Sequence, residues 1–242
     1  MSTAAILIIG NEILSGKTQD SNVAWLGQRL SALGIKLCEV RVVRDEEPAV
    51  VAAVRALSAA YTYVFSTGGI GPTHDDITAE CMAAAFNTTL EINVAAREIL
   101  VAYYKSRDIP MSDATLRMAR IPVGAALLHN PVSSAPGFKI GNVFVMAGVP
   151  RIMQGMFESF EATLERGLPV LSRSVTGRMR ESEIAAELTD IQNRWPDIEI
   201  GSYPAMKDGQ FEVSVVLRGQ DEKRLDAAAA EVEMLAAKWR RG

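Results

Sequence analysis

The 242-residue chain has few of the residues that build disulfide or metal frameworks, with two cysteines, Cys38 and Cys81, and two histidines, His74 and His129. The cysteines lie far apart and show no CxxC or Cys/His spacing, which argues against a disulfide framework or a zinc site and fits a reducing cytoplasm. Neither histidine has a serine or cysteine nucleophile motif nearby, so a catalytic triad is unsupported. Charge of one sign is also missing, since 25 basic residues face 29 acidic ones for a formal net charge of −4. That balance gives no general field to attract phosphate backbones or anionic lipid, and neither nucleic acid nor membrane is an expected partner. Long apolar runs are absent too. The N-terminal run over residues 4–9 stops at Gly10-Asn11-Glu12, which is too short for a signal-peptide core and lacks a basic start. No stretch approaches the roughly 20 apolar residues needed to span a bilayer. With 48% apolar residues the chain can still bury a real core, and a soluble cytoplasmic protein is expected.

What is present is an alternation of short apolar runs with amphipathic stretches. Residues 4–9, 36–43, 61–66 and 143–147 read as strands. Helical spacing of Val23, Leu26 and Leu30 marks a helix over 21–33, and Pro48 opens another over 48–60, where a proline suits the first turn. Further helices are expected over 78–85, 93–107 and 152–165, and the Pro-, Gly- and Ser-rich segment 122–141 should be irregular or form short strands. Parallel strands joined by crossover helices give this pattern, so a doubly wound α/β domain is expected over residues 1–168. After Leu168-Pro169 the order changes to strand 170–176, helix 181–195, strands 198–203 and 211–218, and helix 222–239. This predicts a separate, small α+β unit over residues 169–242, with Gly209 at a hairpin turn. Met111, Met118, Met146, Met153 and Met156 are expected to serve packing.

The chemistry concentrates in Thr67-Gly68-Gly69-Ile70-Gly71-Pro72-Thr73-His74-Asp75-Asp76-Ile77-Thr78, which follows a strand and precedes a helix. Open α/β sheets place ligands at such a junction. Gly68, Gly69 and Gly71 allow the backbone to approach a ligand and point N–H groups at one anion, and the following helix adds positive potential at its N-terminus. An anion site should not welcome Asp75 and Asp76 unless a cation neutralises them. A divalent metal would do so, since Mg²⁺ takes one or two carboxylates together with substrate phosphate oxygens. Adjacent helix-start residues project differently, so one aspartate is expected to face the metal and the other to cap the helix near Thr78. Read without a ligand, the same glycines make a turn and the aspartates cap a helix.

As a whole, the string resembles the signature of the MoaB/Mog (molybdopterin-binding) superfamily. Its Gly-Pro-Thr-x-Asp-Asp portion resembles the branch found at the N-terminus of competence/damage-inducible protein A (CinA) and of FAD synthase. The resemblance implies a three-layer αβα domain and covers roughly residues 4–165. Gly10-Asn11-Glu12-Ile13-Leu14-Ser15-Gly16, followed by Asp20-Ser21-Asn22, is similar to the family's first strand, loop and helix start. Asp20 or Ser21 could equally be a simple N-cap. Asp45, at the end of strand two, and Asp76 match two functional aspartates of the superfamily's adenylylating members. Asn130-Pro131-Val132-Ser133-Ser134-Ala135-Pro136-Gly137-Phe138 resembles an Asn-x-x-Gly-Thr-Ala-Pro-Gly-Phe segment of CinA, with Ser133 and Ser134 replacing Gly and Thr. Ala147-Gly148-Val149-Pro150 resembles the family's Pro-Gly-Val-Pro turn.

The resemblance implies a nucleotide or pterin ligand and a divalent metal (Mg²⁺, or Mn²⁺ or Co²⁺), with molybdopterin itself a possible ligand. On that basis Asp75 and Asp76 are the metal candidates, and Asp45, Asp76 and Glu12 the catalytic ones. Substrate contacts are expected from Gly10, Asn11, Asp20, Asn22, Thr67, Gly68, Gly69, Gly71, Pro72, Thr73, His74, Thr78, Ser134, Ala135, Pro136, Gly137 and Gly148. Three functions stay open: metal-dependent hydrolysis of a nucleotide pyrophosphate such as ADP-ribose or FAD, molybdopterin binding or adenylylation, and a non-catalytic binding module. The tail with Gly201-Ser202-Tyr203-Pro204 resembles the small subdomain that follows this domain in CinA. No amidase or adenylyltransferase activity is expected, because no residues remain for those domains, and self-association as a dimer or trimer is expected.

Overall fold

The structure is a computed structural model that describes residues 2–178, 180–207 and 210–239. It divides into two compact units, residues 1–167 and 168–242. In the first, the elements run β1 (Thr3–Ile9), α1 (Asn11–Leu14), α2 (Asn22–Ala32), β2 (Lys36–Val43), α3 (Glu47–Ala60), β3 (Tyr63–Thr67) and α4 (Thr78–Ala85). These are followed by β4 (Leu90–Ile92), α5 (Val94–Ser106), α6 (Asp113–Arg117), β5 (Arg120–Pro122), β6 (Ala126–Leu128), β7 (Gly137–Ile140), β8 (Val143–Met146) and α7 (Pro150–Phe160).

A six-stranded sheet in the order β2-β1-β3-β8-β7-β6 forms the middle layer. The first four strands are mutually parallel, and β7 and β6 continue antiparallel. Both faces of the parallel part are covered, which explains why its strands read as near-continuous apolar runs. Alternate residues of β1 serve opposite cores. Ala5, Leu7 and Ile9 meet Val54 and Leu57 of α3 and Met82 of α4, while Ala4, Ile6 and Ile8 meet Leu26 and Leu30 of α2 and Phe157 of α7. The resulting αβα layering is the one expected from the sequence. The segment over 122–141 resolves into the short strands β6 and β7, with a further two-stranded sheet of β4 and β5 beside the main one.

Helix α5 begins one residue later than the sequence suggests, because the Asn93 side chain accepts the Ala96 N–H at 3.0 Å and serves as its cap. Of the methionines expected to pack, Met146, Met153 and Met156 are fully buried. Among the described residues no helix is long and apolar enough to cross a membrane.

The second unit comprises β9 (Leu171–Gly177), α8 (Glu181–Arg194), β10 (Glu199–Lys207), β11 (Gln210–Gly219) and α9 (Glu222–Trp239). Its sheet order is β10-β11-β9, and Val213, Val215 and Leu217 pack against Ile184 and Ile191 of α8 and Leu225 and Val232 of α9. Strand β10 runs on through Pro204, beyond the Tyr203 end expected from the sequence. The strand lies at an edge of its sheet, where a residue without an N–H is tolerated. The expected turn residue Gly209 lies outside the described residues.

Phe65 on β3 sits at the centre of an aromatic cluster, with ring centroids 5.4 Å from Phe144, 5.5 Å from Phe157 and 6.4 Å from Phe160. Phe65→Ala should therefore cost the first unit about 3–5 kcal/mol. Hydrogen exchange of the β3 amides under native conditions measures this loss, and a loss below about 1 kcal/mol would mean that the cluster repacks.

Candidate functional site

The carboxyl ends of β1, β2, β3 and β8 form one edge of the sheet, and most of the sequence-predicted residues gather along it. Strand β3 ends in buried Thr67, and the chain then enters Gly68 and Gly69 with φ of 102° and 66°. A Cβ built on Gly68 would lie 2.1 Å from the Ile9 carbonyl oxygen, and one on Gly69 would lie 2.2 Å from the Thr78 hydroxyl. Neither position admits a side chain. Gly68 N–H bonds the Met146 carbonyl at 3.2 Å, so the glycine joins the ends of β1, β3 and β8.

The loop from Gly69 to Thr78 closes on itself. Thr78 N–H donates to the Gly69 carbonyl at 3.0 Å, and its buried hydroxyl donates to the Gly68 carbonyl at 3.0 Å. This overturns the expectation that an aspartate caps α4. The N-cap position is Ile77, with no side-chain cap, because the loop's own carbonyl already takes the Thr78 N–H. Asp76 instead turns back into the loop, where its Oδ2 accepts the Thr73 N–H at 2.8 Å and the Thr73 hydroxyl. Thr73 also favours the ionised form of the neighbouring Asp75, whose carboxyl lies below its ordinary range. No arginine or lysine forms an ion pair with either aspartate among the described residues. Pro72, Thr73, His74 and Asp75 are exposed along the loop.

A cavity opens beside this loop. Of the predicted residues, Gly69, Gly71, Asp76 and Pro136 line it. The Gly71 backbone lies against Asp76, a built Cβ falling 2.7 Å from Oδ2. Phe138 and Ile121 give the cavity apolar wall, and Glu80, Arg117 and Arg120 give it charge. Sequence reasoning missed these three. Glu80 Oε1 stands 2.6 Å from Arg120 and 3.6 Å from Arg117.

The remaining candidates lie on the same edge but outside the cavity. Asp45 Oδ2 accepts the Asn11 N–H at 2.8 Å, linking the loops that follow β2 and β1. The Glu12 carboxylate folds back over Gly10, a built Cβ there falling 2.6 Å from Oε1. Asp20 accepts the Val23 N–H at 2.8 Å and so caps the start of α2, the simpler of its two readings. Asn22 is buried and donates to the Gly148 carbonyl at 2.8 Å, while among the described residues its Oδ1 has no partner. Gly148 in turn packs on Gly68, a built Cβ lying 3.4 Å from the Gly68 Cα. In the 130–137 segment, buried Asn130 holds the turn by accepting the Val132 and Ser133 N–H groups and donating to the Ala135 carbonyl. Ser134 stands at φ 60°, and a Cβ on Gly137 would lie 2.3 Å from the Val145 carbonyl oxygen. Asn130, Ser134, Ala135 and Gly137 thus shape the turn that delivers Pro136 to the cavity.

Among the described residues, no group of three or more His, Cys, Asp and Glu side chains comes together to hold a metal. The residues present do not form an all-protein cage. They do fit a Mg²⁺ that arrives with phosphate oxygens, which needs only one or two carboxylates. Asp76 offers its Oδ1, since both bonds from Thr73 fall on Oδ2.

The profile of the probable molybdopterin-binding domain family matches residues 5–166, the span that carries this whole arrangement. The chain belongs to that family. A second profile, that of the FAD synthase middle domain, matches residues 169–240. A protein of Archaeoglobus fulgidus is 34% identical over 230 residues, 95% of this chain and 96% of its own. One of Pyrobaculum calidifontis is 37% identical over 213 residues, 84% of this chain and 81% of its own. Among solved structures, the protein CinA of Thermoplasma acidophilum, whose function is unknown, is 32% identical. It superposes with a TM-score of 0.61 over 67% of this chain and 97% of that one. A domain of this family carries the glycine loop, the Asp76–Thr73 pair and the cavity in this chain.

The Thr78 hydroxyl is the buried pin of the loop. Thr78→Val should leave the Gly68 carbonyl without its donor and lower stability by about 1–3 kcal/mol, whereas Thr73→Val, on the exposed side, should change stability by less than about 1 kcal/mol. Urea denaturation of the two variants side by side checks this ordering, and equal losses would show that the hydroxyl does not pin the loop.

Proposed function

We propose that this protein hydrolyses a nucleotide pyrophosphate, such as ADP-ribose or FAD, with the help of a divalent metal. The observation that carries the reading is the glycine loop with Asp76, which lines a cavity of mixed charge and whose Oδ1 takes no hydrogen bond among the described residues. Anhydride cleavage chiefly needs positioning and charge stabilisation, and backbone donors with one carboxylate for a metal suit that need. The match of residues 169–240 to a FAD synthase domain supports a flavin or related dinucleotide as substrate class.

In this reading the N–H groups of Gly69 and Gly71 hold a phosphate of the anhydride. Asp76 Oδ1 would hold the metal beside Asp75, and Mg²⁺, Mn²⁺ or Co²⁺ bound there supplies charge neutralisation at the phosphate oxygens and makes water more acidic. Asp45 or Glu12, from the neighbouring strand ends, orients the attacking water and takes its proton. A second reading, molybdopterin binding or its ATP-dependent adenylylation, is favoured by the family's description.

Incubation of the purified protein with ADP-ribose, FAD and ATP, with and without Mg²⁺, Mn²⁺ or Co²⁺, separates these readings by AMP release. Metal-dependent AMP from ADP-ribose or FAD is expected, and Asp76→Asn should lower the rate by about 10²-fold or more. Full turnover by the variant would remove Asp76 from the metal, and no release from any substrate by the unaltered protein would leave the pterin reading.

A further inference from the structure

Part of the cavity wall is built by a segment to which nothing in the sequence pattern drew attention. Arg117 ends α6 and Arg120 begins β5, and both line the cavity that Gly69, Gly71 and Asp76 also line. Glu80 of α4 is the only carboxylate that pairs with either arginine among the described residues, and both meet its single oxygen Oε1. Two guanidinium groups against the one carboxylate of Glu80 leave a positive charge on that part of the wall, while Asp76 puts a negative charge on the glycine-loop side of the lining. Each guanidinium carries five N–H donors in a rigid fork, so most of their donors stay uncommitted. The two side chains are 35% and 38% exposed, neither sealed in the core nor free in solvent. A half-exposed, carboxylate-steadied fork on an apolar floor is well suited to a phosphate.

We infer that Arg117 and Arg120 form a second phosphate subsite, which selects diphosphate ligands over monophosphates. This rests on the reading above in placing the first phosphate on the glycine loop. A monophosphate seated there leaves the arginines unused, whereas a second phosphate carried on the same ligand extends past the small recess to the exposed guanidinium forks. The positive charge on the arginine wall then finds its counter-charge in the second phosphate.

Isothermal titration of the full chain with AMP and with α,β-methylene-ADP, a diphosphate that cannot be cleaved at its bridge, tests the inference in the presence of Mg²⁺. The unaltered protein should bind the diphosphate more tightly. Arg117→Gln and Arg120→Gln should each weaken diphosphate binding by about tenfold or more while leaving AMP binding within about twofold, and Arg120→Lys should retain part of the preference. A fall in both affinities together would indicate a structural role and overturn the subsite. An unchanged ratio in the double variant, or an unaltered protein that does not distinguish the two ligands or binds neither, would overturn it as well. Because cleavage is not read, arginine-dependent preference without AMP release from any substrate would sink the hydrolase reading and leave this one standing.

Discussion

Three strand ends meet at Gly68 through backbone alone, and the geometry of the site depends on that meeting. The Ile9 carbonyl occupies the space a Cβ would need, Gly148 packs near the Gly68 Cα, and the Met146 carbonyl takes the N–H. A side chain at Gly68 would push β1 away from β3 and, at φ 102°, would also be strained. Because the crossing is so close, the chain leaves β3 at a fixed angle, and the ten residues to Thr78 return on two hydrogen bonds to Gly68 and Gly69. The loop is therefore exposed at its tip and rigid at its base. A ligand loop needs that combination, since donors that must be ordered on binding would lose affinity to conformational entropy.

From this point the edge is stitched sideways by side chains that bond to backbone. Asp45 holds Asn11 across the β2 and β1 ends, and Asn22 holds Gly148 from the start of α2. Each bond joins elements distant in the chain, and each uses only part of a polar group. Asp76 follows the same pattern, with one oxygen given to Thr73 and the other left over. Groups employed in this way fix the scaffold and keep chemical capacity in reserve. That is why their structural role does not compete with a role towards a ligand.

The layering, most helices and the glycine loop were legible in the sequence because each is written in local pattern: apolar runs of strand length, helical spacing, and glycine at a strand-to-helix junction. The capping role assigned to an aspartate before α4 failed for a physical reason. A cap is predicted from neighbours along the chain, but the Thr78 N–H was taken by Gly69, nine residues earlier. The extension of β10 through Pro204 was not legible either, since the edge position that makes a proline harmless there depends on sheet order. Arg117 and Arg120 were invisible because their meaning lies in Glu80, on a different helix and 40 residues from Arg120. In the sequence they are two basic residues among 25.

The dispersal of carboxylates along the edge has a consequence for any metal used here. Glu12, Asp45 and Asp76 stand on separate strand ends, and no three acidic groups converge among the described residues. A resident ion would need such convergence, because Mg²⁺ gives up its water reluctantly and is held by few protein groups unless a ligand adds oxygens. Under the hydrolase reading, metal and diphosphate then bind as one unit, each supplying what the other's site lacks. The neighbouring arginines fit that scheme: a doubly charged cation near Asp76 and the guanidinium charge on the cavity wall together balance a diphosphate, which neither could hold alone. Selectivity for the anhydride would follow from charge count before any contact with the rest of the nucleotide is made.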